Sequence, residues 1–214
     1  MKAKWMKWGL LAVMSTSVLT ACQSQPKNEA DTVSGASIKT PREIIKSPVK
    51  KTDFLLGTAV ALSVYHPNTE EVITNALEMI KDLEKRITVN ASGSEVDEVN
   101  LAAGEKPVKV SADVYELIKL GLKYSEEFDG AFDITVGPLT ALWHIGFDDA
   151  KKPTQEEIDA VLPLVNYKDV ELNDAEQTVF LKKKGMQLDL GGIAKGYIAD
   201  KVWEYFAKEG ITTA

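Results

Sequence analysis

The sequence predicts an α+β fold: a mixed or antiparallel sheet with helices packed against it. Two observations carry this. Short runs rich in Val, Leu, Thr and Phe alternate with long stretches whose apolar residues recur every three or four positions. Three of the short runs follow one another closely, joined by turn-forming pairs, as in a meander rather than a series of crossovers.

Taken in order, Phe54–Tyr65 (FLLGTAVALSVY) reads as one buried strand bent at Gly57, ended by His66-Pro67-Asn68. Asn68 or Thr69 then caps a helix from about Glu70 to Arg86. Its inward positions are Val72, Ile73, Ala76, Leu77, Ile80 and Leu83. Residues 87–100 read as a polar loop. Ser111 caps a second helix running to about Phe128, with Val114, Leu117, Ile118 and Leu122 inward. Thr154-Gln155-Glu156-Glu157 is a capping box for a short third helix. Asp169–Leu172, Thr178–Lys182 and Met186–Leu190 follow as three strands, with turns at Asn173-Asp174 and Lys184-Gly185. A helix from about Ile193 to Lys208 comes next. Gly210–Ala214 reads as the entry to a further strand, as if the sequence stopped inside a domain. That predicts partly open faces at Ile198, Val202 and Phe206.

The 214 residues carry 25 Lys and Arg against 32 Asp and Glu. With 44% hydrophobic and 27% charged residues, the composition is that of a globular protein with a real core. The charge is uneven: residues 52–214 hold 16 bases and 29 acids, a net of −13. Such a body argues against nucleic acid as a partner. An anionic ligand would have to be held by local amides, one or two lysines or a divalent cation.

The N-terminus, MKAKWMKWGLLAVMSTSVLTAC, has a basic start and an apolar run from Trp8 to about Val18, short for a membrane span. It ends in Leu19-Thr20-Ala21-Cys22, which resembles a bacterial lipobox. The expectation is a signal peptide over 1–21, lipid attached at Cys22, and an exported protein anchored to the membrane on its extracytoplasmic face. Cys22 is the only cysteine, so no internal disulfide is available. Residues 22–51, poor in apolar residues and holding three prolines, read as a flexible tether ahead of a domain over 52–214.

Two segments are candidates for chemistry. Gly130–Gly146 (GAFDITVGPLTALWHIG) reads either as a helix end followed by a Pro-started helix or as a loop meeting a planar ligand. In Leu188–Tyr197 (LDLGGIAKGY) a strand ends, two glycines follow and a helix begins. Such a junction offers free amides to an anion, with Lys195 in the first helical turn. Asp189 would contact a polar ligand or cap the helix. Neither a P-loop nor a dinucleotide-binding glycine fingerprint is present. His66 and His144 lie far apart, without zinc-ligand spacing.

Together, Gly57-Thr58, Ser94-Glu95…Asn100, FDITVGPL…LW over 132–143 and DLGGIAKGY over 189–197 resemble the ApbE family, the FAD:protein FMN transferases. The resemblance implies an Mg²⁺-dependent enzyme that moves FMN from FAD to a Thr or Ser hydroxyl of an acceptor protein, releasing AMP. The acceptor would be a membrane redox protein. Flavin or FAD contacts would fall on Leu56 (where the family usually has Met), Asn90, Ala131, Phe132, Asp133, Asp189 and Lys195. The backbone carbonyl of Gly192 would meet Mg²⁺. Family members usually continue well past this end, through further metal ligands, so the chain reads as the N-terminal part of such a protein. Two other readings stand beside the transferase: an FAD pyrophosphatase giving FMN and AMP, and a non-catalytic, lipid-anchored flavin-binding module.

Overall fold

The computed structural model describes residues 39–214. Its elements are β1 (Val49–Leu55), β2 (Thr58–Val64), α1 (Glu70–Ile87), α2 (Glu95–Leu101), β3 (Val108–Lys109), α3 (Ala112–Glu127), α4 (Gly137–Trp143), α5 (Gln155–Val161), β4 (Val170–Asn173), β5 (Thr178–Leu181) and α6 (Gly191–Lys208). Two sheets form: the β1–β2 hairpin, and a three-stranded antiparallel sheet in the order β3-β5-β4. The predicted α+β class holds.

The expected bent strand over 54–65 is instead a hairpin. Leu55 pairs with Thr58, and Leu56 and Gly57 form its two-residue loop at φ 55° and 68°. Two successive positive φ values are what a type I′ turn demands. Asn-Gly would have signalled it, whereas a leucine concealed it. The Leu56 amide is held by Glu84 Oε1 of α1 at 2.8 Å.

The hairpin also shortens the expected tether, since β1 starts at Val49. Upstream, the amides of Lys39, Arg42 and Ile45 donate to the carbonyls of Lys208, Gly210 and Tyr65. Backbone pairing fixes this segment, and composition cannot report backbone pairing. Cys22 and the signal segment lie outside the described residues.

In α1 all six expected inward residues are buried, together with Ile87. In α3, Val114, Leu117 and Ile118 are buried and Leu122 is half-buried. The expected loop over 87–100 contains α2. Ser94 Oγ accepts from the Asp97 amide at its start, and Val96 and Val99 point into the core. About two turns with only two buried apolar residues are too short to show periodicity.

The third expected strand, Met186–Leu190, joins no ladder among the described residues. Gln187 makes a single parallel bridge to Val136, and the Leu188 backbone is held by the Asn100 side chain.

Gly210–Ala214 likewise pairs into no strand among the described residues. Tyr65 donates its amide to the Thr213 carbonyl at 3.0 Å. His66, fully buried, accepts at Nε2 from the amides of Thr212 (3.1 Å) and Thr213 (3.2 Å). Its Nδ1 lies 2.7 Å from the Glu43 carbonyl. A carbonyl can only accept, so the proton sits on Nδ1 and the ring is neutral. Contrary to the sequence expectation, Ile198, Val202 and Phe206 are buried, because α1 and α3 cover that face of α6. Burial, and then a hydrogen bond from Tyr197 to Glu116 of α3, push the Tyr197 phenol well above its ordinary range. Lys201 beside Glu116 holds that carboxyl below its own.

Candidate functional site

A cleft of about 850 Å³ opens where five stretches meet: the hairpin tip at Leu56-Gly57, the end of α1 through Asn90, α2, α4 with the residues after it, and the turn from Gln187 into α6.

The turn is the most constrained part. The Asp189 amide donates to the Ile134 carbonyl at 2.8 Å. Its Oδ1 accepts from the Gly191 amide at 2.9 Å, and its Oδ2 accepts from Thr140 Oγ1 of α4 at 2.8 Å. Asp189, one residue ahead of the N-cap Leu190, thus satisfies one of the free amides at the start of α6. The Gly192 amide is left without an acceptor among the described residues. Lys195, one turn on, is exposed in the cleft, with no carboxylate at ion-pair distance among the described residues. A free amide, a helix N-terminus and an uncompensated ammonium group make this end of the cleft attractive to an anion despite the acidic body.

The flank formed by α4 and the residues after it is largely apolar. α4 starts with Pro138 in its first turn and ends at His144, which takes a left-handed conformation at φ 44°, ψ 46°. That reversal leads into Ile145 and Phe147. The His144 ring stacks on Phe147 with centroids 4.0 Å apart, and its Nδ1 lies 2.6 Å from Asp149 Oδ1. Leu139, Trp143, Ile145 and Phe147 therefore line one side, and Leu56 and Val89 also reach the cleft. Of the two readings of residues 130–146, the structure realises the Pro-started helix and also gives it a cleft-facing surface.

Of the residues expected at the site, Leu56, Asn90, Asp189 and Lys195 come together in this cleft. Ala131, Phe132 and Asp133 do not line it. Asp133 is engaged by its own neighbourhood: Oδ1 accepts from the Thr135 amide and hydroxyl, and Oδ2 from the Tyr167 amide. Ala131 donates its amide to Phe128 at the end of α3. Phe132 stands behind the start of α6, where a Cβ on Gly192 would come within 3.2 Å of its ring. Residues that sequence reasoning did not single out include Thr140, Glu84 and Trp143. Of the site residues not assigned a role from sequence, Trp143 and Asn100 carried a signal, as parts of the FDITVGPL…LW and Ser-Glu…Asn motifs.

The expected Mg²⁺ is not accommodated by the described residues alone. Among them, no group of three His, Cys, Asp or Glu side chains could hold a metal ion. Asp189 already has both oxygens bonded, and one carbonyl at Gly192 cannot fix an octahedral ion.

The sequence pattern of the ApbE family matches residues 56–214. The FAD:protein FMN transferase of Klebsiella pneumoniae is 39% identical over 160 residues, covering 75% of this chain and 50% of that protein. The FAD:protein FMN transferase of Treponema pallidum is 32% identical over 177 residues, covering 77% and 48%. Among solved structures, the ApbE protein of Thermotoga maritima superposes with a TM-score of 0.71 at 32% identity, over 76% of this chain and 53% of that one. The flavin transferase ApbE of Vibrio cholerae shares the fold at a TM-score of 0.69 and 24% identity, over 77% and 54%. The chain thus spans about half the length of the curated relatives it matches. Matching along three quarters of its own length, in sequence and in fold, the chain belongs to the ApbE family.

Proposed function

We propose that the protein takes part in FAD:protein FMN transfer and that residues 39–214 supply the cleft that receives FAD. One observation carries the reading: a single cleft joins an apolar flank at Leu139, Trp143 and Phe147 to a cationic helix start at Gly191 and Lys195. FAD has that polarity, with a flat ring system at one end and a pyrophosphate in the middle. In the reaction, an acceptor Thr or Ser oxygen bonds to the flavin-side phosphorus. The bond from that phosphorus to the bridging oxygen breaks, AMP leaves with that oxygen, and the hydroxyl proton passes to solvent. The nucleophile belongs to the acceptor, so the site needs no triad. Bound Mg²⁺ would neutralise phosphate charge. The role of Lys195 and the α6 amide is to hold the pyrophosphate while the apolar flank orients the ring.

The test is incubation of the full chain with FAD, Mg²⁺ and a hydroxyl-bearing acceptor. The expected result is an acceptor heavier by one FMN unit, with equimolar AMP. FMN and AMP with an unmodified acceptor would favour the pyrophosphatase instead. Unconsumed FAD would leave a flavin-binding module.

The lipobox supports a location on the extracytoplasmic face of a membrane, with the anchor at Cys22. Cys22→Ser is expected to move the protein to the soluble fraction or to leave an unprocessed precursor on gels. A variant that fractionates and migrates as wild type rejects the anchor.

A further inference from the structure

We propose that Asn100 is a positioning residue for the pyrophosphate-facing turn; the proposal rests on reading the cleft as an FAD site. Asn100 lies in the last turn of α2, 88 residues from Leu188 in sequence. Its Oδ1 accepts from the Leu188 amide at 2.7 Å, and its Nδ2 donates to the Leu188 carbonyl at 3.1 Å. One side-chain amide thus does for Leu188 what a neighbouring strand does in a ladder, offering an acceptor and a donor on the same edge.

The location gives that clamp its consequence. Residues 186–190 have strand-like sequence, yet Gln187 makes only the single bridge to Val136. Leu188, fully buried, depends on Asn100 for both backbone groups. One residue later Asp189 caps α6 and holds Thr140. Beyond it the start of α6 brings Gly191 and then Lys195 to the cleft. A shift at Leu188 passes along rigid backbone to every group proposed to hold the anion. α2 is itself anchored: Ser94 caps it, and Glu95 Oε2 accepts from the Ser111 amide at 2.6 Å. The clamp therefore joins a fixed helix to the one residue of the turn, Leu188, whose backbone bonds both go to a single side chain.

The experiment measures FAD and riboflavin affinity by fluorescence titration, together with thermal unfolding, on the full chain carrying Asn100→Ala or Asn100→Asp. For Asn100→Ala the Kd for FAD should rise about tenfold, the worth of one or two hydrogen bonds, while riboflavin, lacking the pyrophosphate, stays within about twofold. Asn100→Asp adds a signature that a merely structural side chain lacks. A protonated carboxyl both donates and accepts, as the amide does, whereas an ionised one cannot donate to the Leu188 carbonyl. The ratio of its FAD Kd to that of wild type should therefore fall toward one as pH drops into the carboxylate range, and widen at neutral pH. Unchanged FAD affinity in Asn100→Ala overturns the proposal. So does an equal weakening for both flavins that merely tracks a lowered melting temperature. A wild-type chain that binds neither flavin overturns the reading of the cleft, and this inference with it.

Discussion

Lys195→Ala should bind FAD about 10- to 150-fold more weakly than wild type. A charge-assisted hydrogen bond contributes roughly 1.5–3 kcal/mol, and that range converts to this loss. Two features place the expectation on Lys195 rather than on the other lysines. It stands one turn into α6, near the free amides of the helix start, and it has no carboxylate partner among the described residues. Lys182, Lys183 and Lys201, by contrast, are each paired with an acid. In a body with 29 acids against 16 bases, the pyrophosphate meets a repulsive background, so one free ammonium group carries weight. Riboflavin has no phosphate, so its affinity should change far less. Lys195→Arg should keep most of the affinity, and high salt should narrow the gap between variant and wild type. Equal losses for FAD and riboflavin in a titration would remove Lys195 from its assigned role.

How much of this was legible in the sequence depended on the kind of interaction. The inward faces of α1 and α3, the capping box of α5 and the strand–glycine–helix junction at 188–195 were legible, because periodicity, caps and glycines are local signals. The hairpin tip was missed because Leu56 takes a conformation its residue type disfavours, held there by Glu84 from another helix. α2 was missed because its seven residues bury only two side chains. The strand expected at 186–190 failed for the reverse reason: its pattern is right, but its partner is a side chain 88 residues away. At the site, Asp189 and Lys195 could be read from their place in the turn. Thr140 and Asn100 act across the fold, and no spacing announces such contacts. Ala131, Phe132 and Asp133 belong to the same motif as cleft residues but do not line this cleft, and Asp133 is held by Thr135 and Tyr167.

Gly137→Ala should lower both the stability of the fold and its affinity for FAD. Gly137 is the buried first residue of α4, and its amide donates to the Gln187 carbonyl at 3.2 Å. A Cβ there would lie 2.6 Å from Gln187 Cβ, 2.6 Å from its carbonyl oxygen and 2.9 Å from its carbonyl carbon. Non-bonded carbon atoms settle at roughly 3.5–4.0 Å, so the contact must open by about 1 Å. Two of the three atoms are backbone, in a segment fixed by Asn100 at Leu188 and by Ile134 at Asp189, so a rotamer change cannot relieve it. Alanine in place of glycine favours a helix by at most ~1 kcal/mol, and less in a first turn. Overpacking a close contact costs about 1–3 kcal/mol, so the clash decides the sign. For a chain of this size that is a fall in melting temperature of about 2–12 °C. Displacing α4 also draws Thr140 away from Asp189 and shifts Trp143, so FAD affinity should drop in the same variant. Gly196→Ala in α6 is the control: its Cβ would meet nothing within 4 Å, so the helix gain stands alone and stability should hold or rise. If calorimetry found Gly137→Ala as stable as wild type, the segment at Gln187 would have to yield freely, and its rigidity could not be what aims Asp189 and Lys195 into the cleft.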